Sequence, residues 1–273
     1  DARNGTSNKY KQEKDNKLSL ASNAVLPLFA DRSGLIWVGS YKSGLSRFKP
    51  NSEKMEHIQI IDSVNRAASM GSINGISEFG SKVYLVSGSR GLLTWDKKLK
   101  SITQVQTAFT LGGYCLLREN DSIIWLGGTI DGLLRYNENT KKSEVFASDA
   151  SKKGSISERG IRCALKDKKG RLWFGTYGKG LNLYQPETKT FTVFQNDPKD
   201  SNSLSDNTIM VLYEDKFANI WVGTGTGGLN RIDEKTEKFY RSKGQFAPDN
   251  GTSITGIQED AENKLWVTTT TGL

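Results

Sequence analysis

The sequence predicts an all-β protein, a β-propeller in which four-stranded antiparallel blades pack around a common axis. Six related segments recur at intervals of 48, 40, 48, 48 and 45 residues, and they are centred on Trp37, Leu85, Trp125, Trp173, Trp221 and Trp266. A Gly-Leu pair follows each of these positions after six or seven residues. A period of about 40 to 50 residues with several short strands per period is typical of propeller blades.

An acidic residue stands six positions before the aromatic position in five segments, and Phe79 replaces it in the other. These acids are Asp31, Glu119, Asp167, Asp215 and Asp260. Where Gly follows three residues later, as in 31–34 and 167–170, the pattern is typical of a type I turn, because Asp bonds the following amides. The acids are therefore predicted to be structural and not a carboxylate pair for glycoside hydrolysis, which needs two converging acids.

The fourth segment illustrates the strands that each unit is predicted to contain. An apolar strand over 161–165 is followed by the turn 167–170 and by the strand that contains Trp173. A glycine-containing hairpin at 177–180 leads into a third strand over 181–184, and the more polar run 190–194 forms the outer strand. Because one blade cannot bury both of its apolar faces alone, the repeated Trp is predicted to be a core residue between blades.

The blade pattern extends over nearly the whole chain, so residues 1–273 are predicted to form a single β-propeller domain or propeller fragment. The sequence contains the repeats of about six blades, and we expect these blades to be part of a larger, seven-bladed ring. The last unit stops at Gly272-Leu273, where its third strand should begin. Residues 8–11 resemble the outer strand of a preceding blade and are predicted to pair with the final one.

Composition and charge exclude several functional classes. The chain has 38 Lys and Arg against 30 Asp and Glu, a net charge of +8, but these cations form no long basic run. A solvated surface is therefore favoured over nucleic-acid binding. No apolar stretch reaches the 18 to 20 or so residues that cross a bilayer, and the start of the chain lacks an apolar signal core. Two Cys and one His argue against a disulfide framework, a metal site or any other cofactor.

Three local features have both a structural and a chemical interpretation. Cys115 and Cys163 occupy equivalent places in consecutive inner strands, where packing as small hydrophobic residues is favoured over a disulfide. His57 lies in a polar outer strand with no Ser or Cys partner that the sequence can place beside it, so a surface or packing role is favoured. Residues 223–228, GTGTGG, look like a phosphate loop, but a strand of the repeat follows instead of a helix, so a hairpin is predicted.

Candidate binding residues lie in the loops on one face of the predicted meander. There, the loop that enters each blade meets the hairpin between the second and third strands of that blade. Loops on a rigid scaffold carry most binding residues. Tyr rings stack on sugars, while Lys and Arg bond hydroxyls or pair with carboxylate and sulfate groups, so an anionic glycan suits this face best. The candidates are Tyr41, Lys42, Arg66, Arg90, Asp131, Arg159, Arg162, Tyr177 and Lys179.

The units resemble the two-component regulator propeller repeat. The resemblance rests on residues 203–215 (SLSDNTIMVLYED), 219–224 (NIWVGT) and 228–233 (GLNRID). It covers nearly the whole chain and is weakest in the second unit, where Leu85 and Phe79 depart from the pattern. Such repeats are known from extracytoplasmic sensor regions of hybrid two-component regulators in Bacteroides-type bacteria. There, two propellers precede an immunoglobulin-like domain, a membrane helix, a histidine kinase and response-regulator parts.

The resemblance implies a non-catalytic periplasmic sensor module that recognises oligosaccharide products of a polysaccharide. It also implies a neighbouring propeller, an immunoglobulin-like domain and a homodimer in the full-length protein, which carries the histidine kinase. Two alternatives stay open: an interaction or dimerisation scaffold, and a propeller lyase, which needs a positioned base that the sequence does not provide. Neither the sugar nor the blade count of the intact ring follows from the sequence.

Overall fold

The chain is described by a computed structural model over residues 10–50, 54–58, 60–61, 67–68, 71–108, 112–128, 130–233, 236–242, 251–270 and 272. Every regular element in these ranges is a β-strand. No helix in the described ranges is long and apolar enough to cross a membrane. The chain divides into two compact units, Asp1–Gln106 and Thr107–Leu273.

The first unit contains two antiparallel sheets of four strands in chain order, named blades 1 and 2, and a short hairpin between them. Blade 1 consists of β1 (Val25–Ala30), β2 (Ile36–Ser40), β3 (Gly44–Phe48) and β4 (Glu56–Ile58). The hairpin pairs β5 (Ile60–Ile61) with β6 (Ala67–Ala68). Blade 2 consists of β7 (Ile73–Phe79), β8 (Lys82–Ser87), β9 (Gly91–Asp96) and β10 (Ser101–Gln104).

The second unit contains three more sheets of this kind, blades 3 to 5, and a final two-stranded sheet. Blade 3 consists of β11 (Gly113–Arg118), β12 (Ile123–Gly128), β13 (Leu133–Asn137) and β14 (Lys142–Phe146). Blade 4 consists of β15 (Ile161–Lys166), β16 (Leu172–Thr176), β17 (Leu181–Gln185) and β18 (Thr190–Phe194). Blade 5 consists of β19 (Ile209–Glu214), β20 (Ile220–Thr224), β21 (Leu229–Ile232) and β22 (Phe239–Arg241), and the final sheet pairs β23 (Ile254–Glu259) with β24 (Leu265–Thr269).

The acid six residues before each Trp accepts a hydrogen bond from the indole N–H of that Trp. The donor–acceptor distances lie between 2.7 and 3.0 Å for Asp31–Trp37, Glu119–Trp125, Asp167–Trp173, Asp215–Trp221 and Asp260–Trp266. The four aspartates among these acids also bond the amides of their turn, as when Asp31 Oδ1 accepts from the Ser33 and Leu35 N–H groups. The structural role predicted for these acids is confirmed, and it explains why acid and Trp recur together.

The repeated Trp lies in the core, as predicted, in most of the blades. Trp37, Trp125 and Trp173 are at most 1% exposed, and Trp221 is partly buried. Trp266 of the final sheet differs, because 49% of it is exposed. Burial of one such ring removes a large apolar area from water and dominates the packing of its blade.

Neighbouring blades approach most closely where a Gly two residues after the Trp faces the first strand of the next blade. A Cβ at Gly175 would lie 2.6 Å from the Ile209 side chain, and one at Gly127 would lie 2.8 Å from Ile161 Cβ. Real Cβ atoms do not approach so closely, so a side chain at either position would push the two blades apart. The Trp-x-Gly sequence thus sets the spacing of consecutive blades within the second unit.

The two Cys residues pack in this same layer. Both are free thiols. The Cys115 Sγ lies 3.9 Å from the carbonyl oxygen of Ile161, and the Cys163 Sγ lies 3.8 Å from that of Ile209. Burial raises the pKa of Cys115 to about 12 and also raises that of Cys163, so both stay protonated at neutral pH. Their role is that of small packing residues, as the favoured interpretation requires.

Two predictions near the N-terminus have different outcomes. Tyr10 and Lys11 form no strand, and the Tyr10 ring packs instead on Phe48 of β3, with 5.1 Å between ring centroids. The outer strand predicted over residues 8–11 is therefore wrong in its described part, and residues 8 and 9 lie outside the described residues. His57 has the packing role that was favoured, because its Nε2–H donates to the carbonyl oxygen of Ser19 at 2.7 Å.

Candidate functional site

A groove of about 590 Å³ opens between the loops of blades 3 and 4. It lies where the loop that enters blade 4 meets the β12–β13 and β16–β17 hairpins. Binding residues were predicted on this face of the blades. Its volume falls in the range of small-molecule sites, about 300 to 1,000 Å³. The groove is lined by Tyr114, Ile130, Ser148, Ser157, Glu158, Arg159, Gly160, Tyr177 and Lys179.

The loop that enters blade 4 is fixed by a buried asparagine. Asn182 of β17 has no exposed surface, and its Nδ2 donates to Ser157 Oγ at 2.8 Å. The Ser157 N–H donates back to Asn182 Oδ1 at 2.9 Å. Because both polar groups of the amide are used, the entry loop is held against the third strand in a single position.

A second clamp joins the entry loop to the hairpin between β16 and β17. Glu158 Oε2 accepts the N–H of Gly178 at 2.8 Å. Within the hairpin, the Thr176 hydroxyl donates to the carbonyl oxygen of Gly180 at 2.8 Å and accepts the N–H of Lys179 at 2.9 Å. These bonds hold the two loops rigidly, so a ligand that binds here loses little free energy in ordering them.

Apolar and aromatic surface is exposed on both walls of the groove. Tyr114 and Ile130 belong to blade 3 and are 39% and 55% exposed, while Tyr177 of blade 4 is 57% exposed. The Arg162 guanidinium carbon lies 5.6 Å from the centre of the Tyr177 ring, within cation–π range. Rings that stay exposed on a fixed scaffold are suited to stacking on the apolar face of a sugar.

The cations of the groove have no carboxylate partners among the described residues. Arg159, Arg162 and Lys179 take part in none of the ion pairs of the described structure. Some cations elsewhere in the described structure are paired, as Arg135 is with Glu119 at 2.9 Å and Arg171 with Asp167 at 2.6 Å. The groove therefore offers positive charge and hydrogen-bond donors that the protein itself does not use.

The structure brings together some of the predicted residues. Arg159, Tyr177 and Lys179 line the groove, and Arg162 contacts it through Tyr177. Asp131 follows the lining residue Ile130, and its Oδ2 is buried without a hydrogen-bond partner among the described residues.

The remaining predicted residues lie in the other unit. Tyr41 and Lys42 form the hairpin between β2 and β3, where the Lys42 Nζ lies 5.0 Å from the centre of the Tyr41 ring. The Lys42 N–H donates to Ser72 Oγ at 3.1 Å. Arg90 precedes β9, and its carbonyl oxygen accepts the Gln104 side-chain N–H at 2.9 Å. Arg66 lies outside the described residues.

Six lining residues were absent from the predicted set, and two of them, Tyr114 and Glu158, have aromatic or charged side chains. Glu158 could have been found by aligning the entry loops, because Ser157-Glu158 and Ser205-Asp206 stand at equivalent places in consecutive units. Tyr114 has no such signal, since the equivalent positions hold different residue types. Its importance becomes visible only when the strand that carries it is placed beside the groove.

The acid before the Trp has a structural role within the turn. Burial opposes ionisation of Asp31, but hydrogen bonds from Ser33, Trp37 and Lys97 outweigh it and hold its pKa well below the ordinary value. Such a carboxylate is a fixed anion and not a proton carrier at neutral pH. Among the residues that the structure describes, no group of three or more His, Cys, Asp or Glu side chains is arranged to hold a metal ion. Residues 223–228 form the hairpin between β20 and β21, as predicted.

Comparisons with known proteins agree with these observations. The family model of the two component regulator propeller matches residues 155–178, which contain the entry loop, β15, β16 and part of the hairpin of blade 4. The comparison with curated proteins finds no match.

Similar solved structures identify the fold. The extracellular domain of a putative hybrid two-component system from B. thetaiotaomicron is 20% identical, with a TM-score of 0.78 over 95% of this chain and 34% of that one. The extracellular domain of a putative one-component system from the same organism is 22% identical, with a TM-score of 0.75 over 96% and 32%. The WD40 β-propeller domain of Doa1 is 10% identical, with a TM-score of 0.67 over 92% and 76%.

The chain thus spans about a third of the length of the two B. thetaiotaomicron proteins. The all-β fold class predicted from the repeats is confirmed. The resemblance noted in the sequence is confirmed as well: residues 155–178 match the two-component regulator propeller repeat, and the similar solved structures show the β-propeller fold.

Proposed function

We propose that this chain is a non-catalytic, ligand-binding module of an extracytoplasmic sensor of the two-component type, and that it recognises an oligosaccharide. The observation that carries the proposal is the groove between blades 3 and 4, with exposed rings and unpaired cations on loops that are fixed by hydrogen bonds. Sensor propellers need such a rigid, exposed site and no assembled catalytic groups.

The groove chemistry favours a sugar over other small ligands. Tyr114 and Tyr177 offer ring faces, while Ser148, Ser157 and Lys179 offer hydroxyl and ammonium groups that bond sugar hydroxyls. A saccharide combines apolar C–H faces with a rim of hydroxyls, so it matches a surface on which rings and polar groups alternate. The open shape of the groove also suits a chain that extends beyond it.

The wider setting of the proposal is inferred from the family resemblance and the two B. thetaiotaomicron structures, which are described as extracellular domains. We place the chain in the periplasm, beside a second propeller and an immunoglobulin-like domain of the same protein. The full-length protein would carry the histidine kinase and form a homodimer. Ligand binding would then act by changing the geometry of that dimer.

The experiment is a thermal-shift screen of the 273-residue chain against defined oligosaccharides, both neutral and acidic. A ligand at a hundred times its dissociation constant should stabilise the folded chain by about 2.7 kcal/mol. A double variant, Tyr177→Ala with Lys179→Ala, should lose the shift because both side chains line the groove.

The matched control carries Tyr240→Ala and Lys199→Ala. Tyr240 is 48% exposed and lies under an Arg, as Tyr177 does, but it belongs to the outer strand β22. This control should keep the full shift. If every oligosaccharide leaves the melting midpoint unchanged, or if both double variants respond like the parent chain, the proposal is wrong.

An interaction scaffold is the second candidate, and exposed apolar residues of β1 favour it. Leu26 and Leu28 are 44% and 66% exposed. Exposed apolar surface of this kind often marks a site of protein association. Light scattering of the chain at increasing concentration tests this candidate: a dimer that Leu28→Lys converts to monomer supports it, and a monomer at all concentrations refutes self-association.

A further inference from the structure

We propose that the groove prefers acidic oligosaccharides, that Arg162 in a β-bulge sets this preference, and that Tyr114 in the equivalent bulge of blade 3 strengthens the binding of any saccharide. The inference rests on the proposed function and names the class of ligand. In the proposed complex, Arg162 pairs with a carboxylate or sulfate group of the sugar, and Tyr114 stacks on the sugar ring that carries this group.

The first strands of blades 2 to 5 and of the final sheet have a β-bulge at the same place. Register shifts fall between Ile73 and Gly75, Gly113 and Cys115, Ile161 and Cys163, Ile209 and Val211, and Ile254 and Gly256. A bulge leaves one extra residue out of the pairing and re-aims its side chain. In the second unit these residues are Tyr114, Arg162, Met210 and Thr255.

Packing fixes the residues on either side of each bulge but not the bulge residue. Ile161 and Cys115 both lie against Gly127, where an added Cβ would be 2.8 and 2.5 Å from them. Ile209 and Cys163 meet Gly175 in the same way. Flanking positions are therefore restricted to Ile or Gly before the bulge and to Cys, Val or Gly after it. The bulge residue varies more widely, in size, polarity and charge, as a position that determines specificity must.

Among the arginines that stack on rings, Arg162 differs from those that also pair with a carboxylate, namely Arg47, Arg135 and Arg171. Arg231 lies over Tyr240 and, like Arg162, has no carboxylate partner among the described residues, but its guanidinium donates to Asn219 Oδ1. Arg135 and Arg171 lie 5.7 and 5.2 Å from the ring centres of Trp125 and Trp173, and each also pairs with a carboxylate of the protein. Arg162 lies over Tyr177 in the same manner but has no carboxylate partner among the described residues. A guanidinium whose flat face is already held on a ring has its edge available for a bidentate bond with an anion.

The charges around Arg162 also favour an anion. Arg159 and Lys179 line the groove without carboxylate partners in the described structure. Glu158 lines it as well, but its Oε2 accepts the Gly178 N–H. Two cations thus line the groove and Arg162 stacks on a lining ring, against one lining carboxylate that is bonded to backbone. Tyr114 exposes its ring on the opposite wall, where the sugar ring of a bound acidic residue would lie.

The experiment measures dissociation constants by calorimetry for three tetrasaccharides: oligogalacturonate, chondroitin sulfate and the neutral xylotetraose. The variants take their residues from other bulges of the same chain, so each is known to fit the fold: Arg162→Met, as at Met210, and Tyr114→Thr, as at Thr255. Met210→Ala is the control, because this bulge does not line the groove. Thermal melts verify that each variant is folded.

We expect the parent chain to bind at least one acidic tetrasaccharide about tenfold or more tighter than the neutral one. Arg162→Met should remove this preference while leaving the affinity for a neutral sugar within about twofold. Tyr114→Thr should weaken all binding about threefold to tenfold. Oligogalacturonate carries carboxylates alone, whereas chondroitin sulfate carries both carboxylates and sulfates, so binding of the second probe alone indicates that the sulfate is needed. A preference for either acidic probe supports the inference.

Two results would overturn the inference while the proposed function stands: equal affinity for neutral and acidic sugars, or a preference that Arg162→Met does not change. Both would still show saccharide binding, which Tyr177→Ala with Lys179→Ala would abolish. Binding of no saccharide at all would overturn the proposed function and this inference together.

Discussion

Blades 4 and 5 share one loop skeleton and differ in the side chains that it presents. Asn230 in blade 5 bonds Ser205 as Asn182 bonds Ser157 in blade 4, with Nδ2–Oγ distances of 2.7 and 2.8 Å. Asp206 accepts the Thr226 N–H at 2.7 Å, in the place where Glu158 accepts that of Gly178. The skeleton therefore belongs to the repeat and not to any one site.

The difference lies in the hairpins. Blade 4 presents Tyr177 and Lys179, whereas blade 5 has Gly225 and Gly227 at the equivalent positions. A Cβ at Gly227 would lie 2.5 Å from Ser205 Oγ, so this hairpin packs tightly on its entry loop. Blade 5 thus shows the skeleton without exposed rings or cations. Comparison of the two blades separates residues that build the loop from residues that can bind a ligand.

The largest effect should come from the Trp that both blades share. Trp173→Ala is expected to lower the free energy of unfolding by about 3–5 kcal/mol, because a fully buried ring is lost and Asp167 is left without its indole donor. Trp266→Ala, at the half-exposed equivalent position, should cost clearly less. Urea denaturation measures both, and equal losses would show that burial of the repeated Trp does not determine its contribution.

The buried asparagines should have the next largest effect. Asn182→Ala and Asn230→Ala each leave an entry-loop amide without its partner, which is expected to cost about 1–3 kcal/mol. The two losses should be similar, but only Asn182→Ala should also weaken saccharide binding, because its partner Ser157 lines the groove. A binding defect of the same size in Asn230→Ala would contradict the separation of the two blades.

The smallest effect is the pH dependence of the turn in blade 5. Burial opposes ionisation of Asp215, yet hydrogen bonds from Trp221, Asn219 and two backbone amides outweigh it and lower its pKa. A lowered pKa means that the stabilisation is fully present above the pKa of the unfolded state, about 3.9, and is lost as the pH falls further. Urea midpoints between pH 7 and pH 3 should therefore decrease less steeply for Asp215→Asn than for the parent. An unchanged slope would contradict this role.

Much of the fold follows from the sequence because its determinants are local and repeated. The outer strand Thr190–Phe194 has the predicted limits, and the first and third strands of blade 4 extend one residue beyond them. The acid before each Trp was predicted to be structural, but its bond to the indole was not, since two side chains six residues apart meet only when the turn is folded. Residues 10–11 were assigned to a strand because they resemble the outer strand of a blade. The contact of Tyr10 with Phe48, 38 residues away in the chain, could not be predicted from that local resemblance.

The candidate site was predictable only in part. Hairpin residues such as Tyr177 and Lys179 follow from the repeat, since their loop lies between a recognisable Trp strand and a Gly-Leu pair. Tyr114 was missed although Arg162, at the equivalent bulge position, was predicted, because the residue types at these positions differ and the bulge itself is a feature of strand pairing. The grouping of residues from blades 3 and 4 around one groove depends on how the blades pack, which the sequence of one unit does not specify.

The most direct measurement exchanges the hairpin of blade 4 for that of blade 5, with the substitutions Tyr177→Gly, Gly178→Thr and Lys179→Gly. Both hairpins have the same length and the same clamp from the entry loop, so the melting midpoint of the free chain should stay close to that of the parent. Calorimetry with the saccharide that binds the parent most tightly should then show that binding is lost. Undiminished binding by the exchanged chain would place the ligand elsewhere and contradict the assignment of the groove as the sensor site.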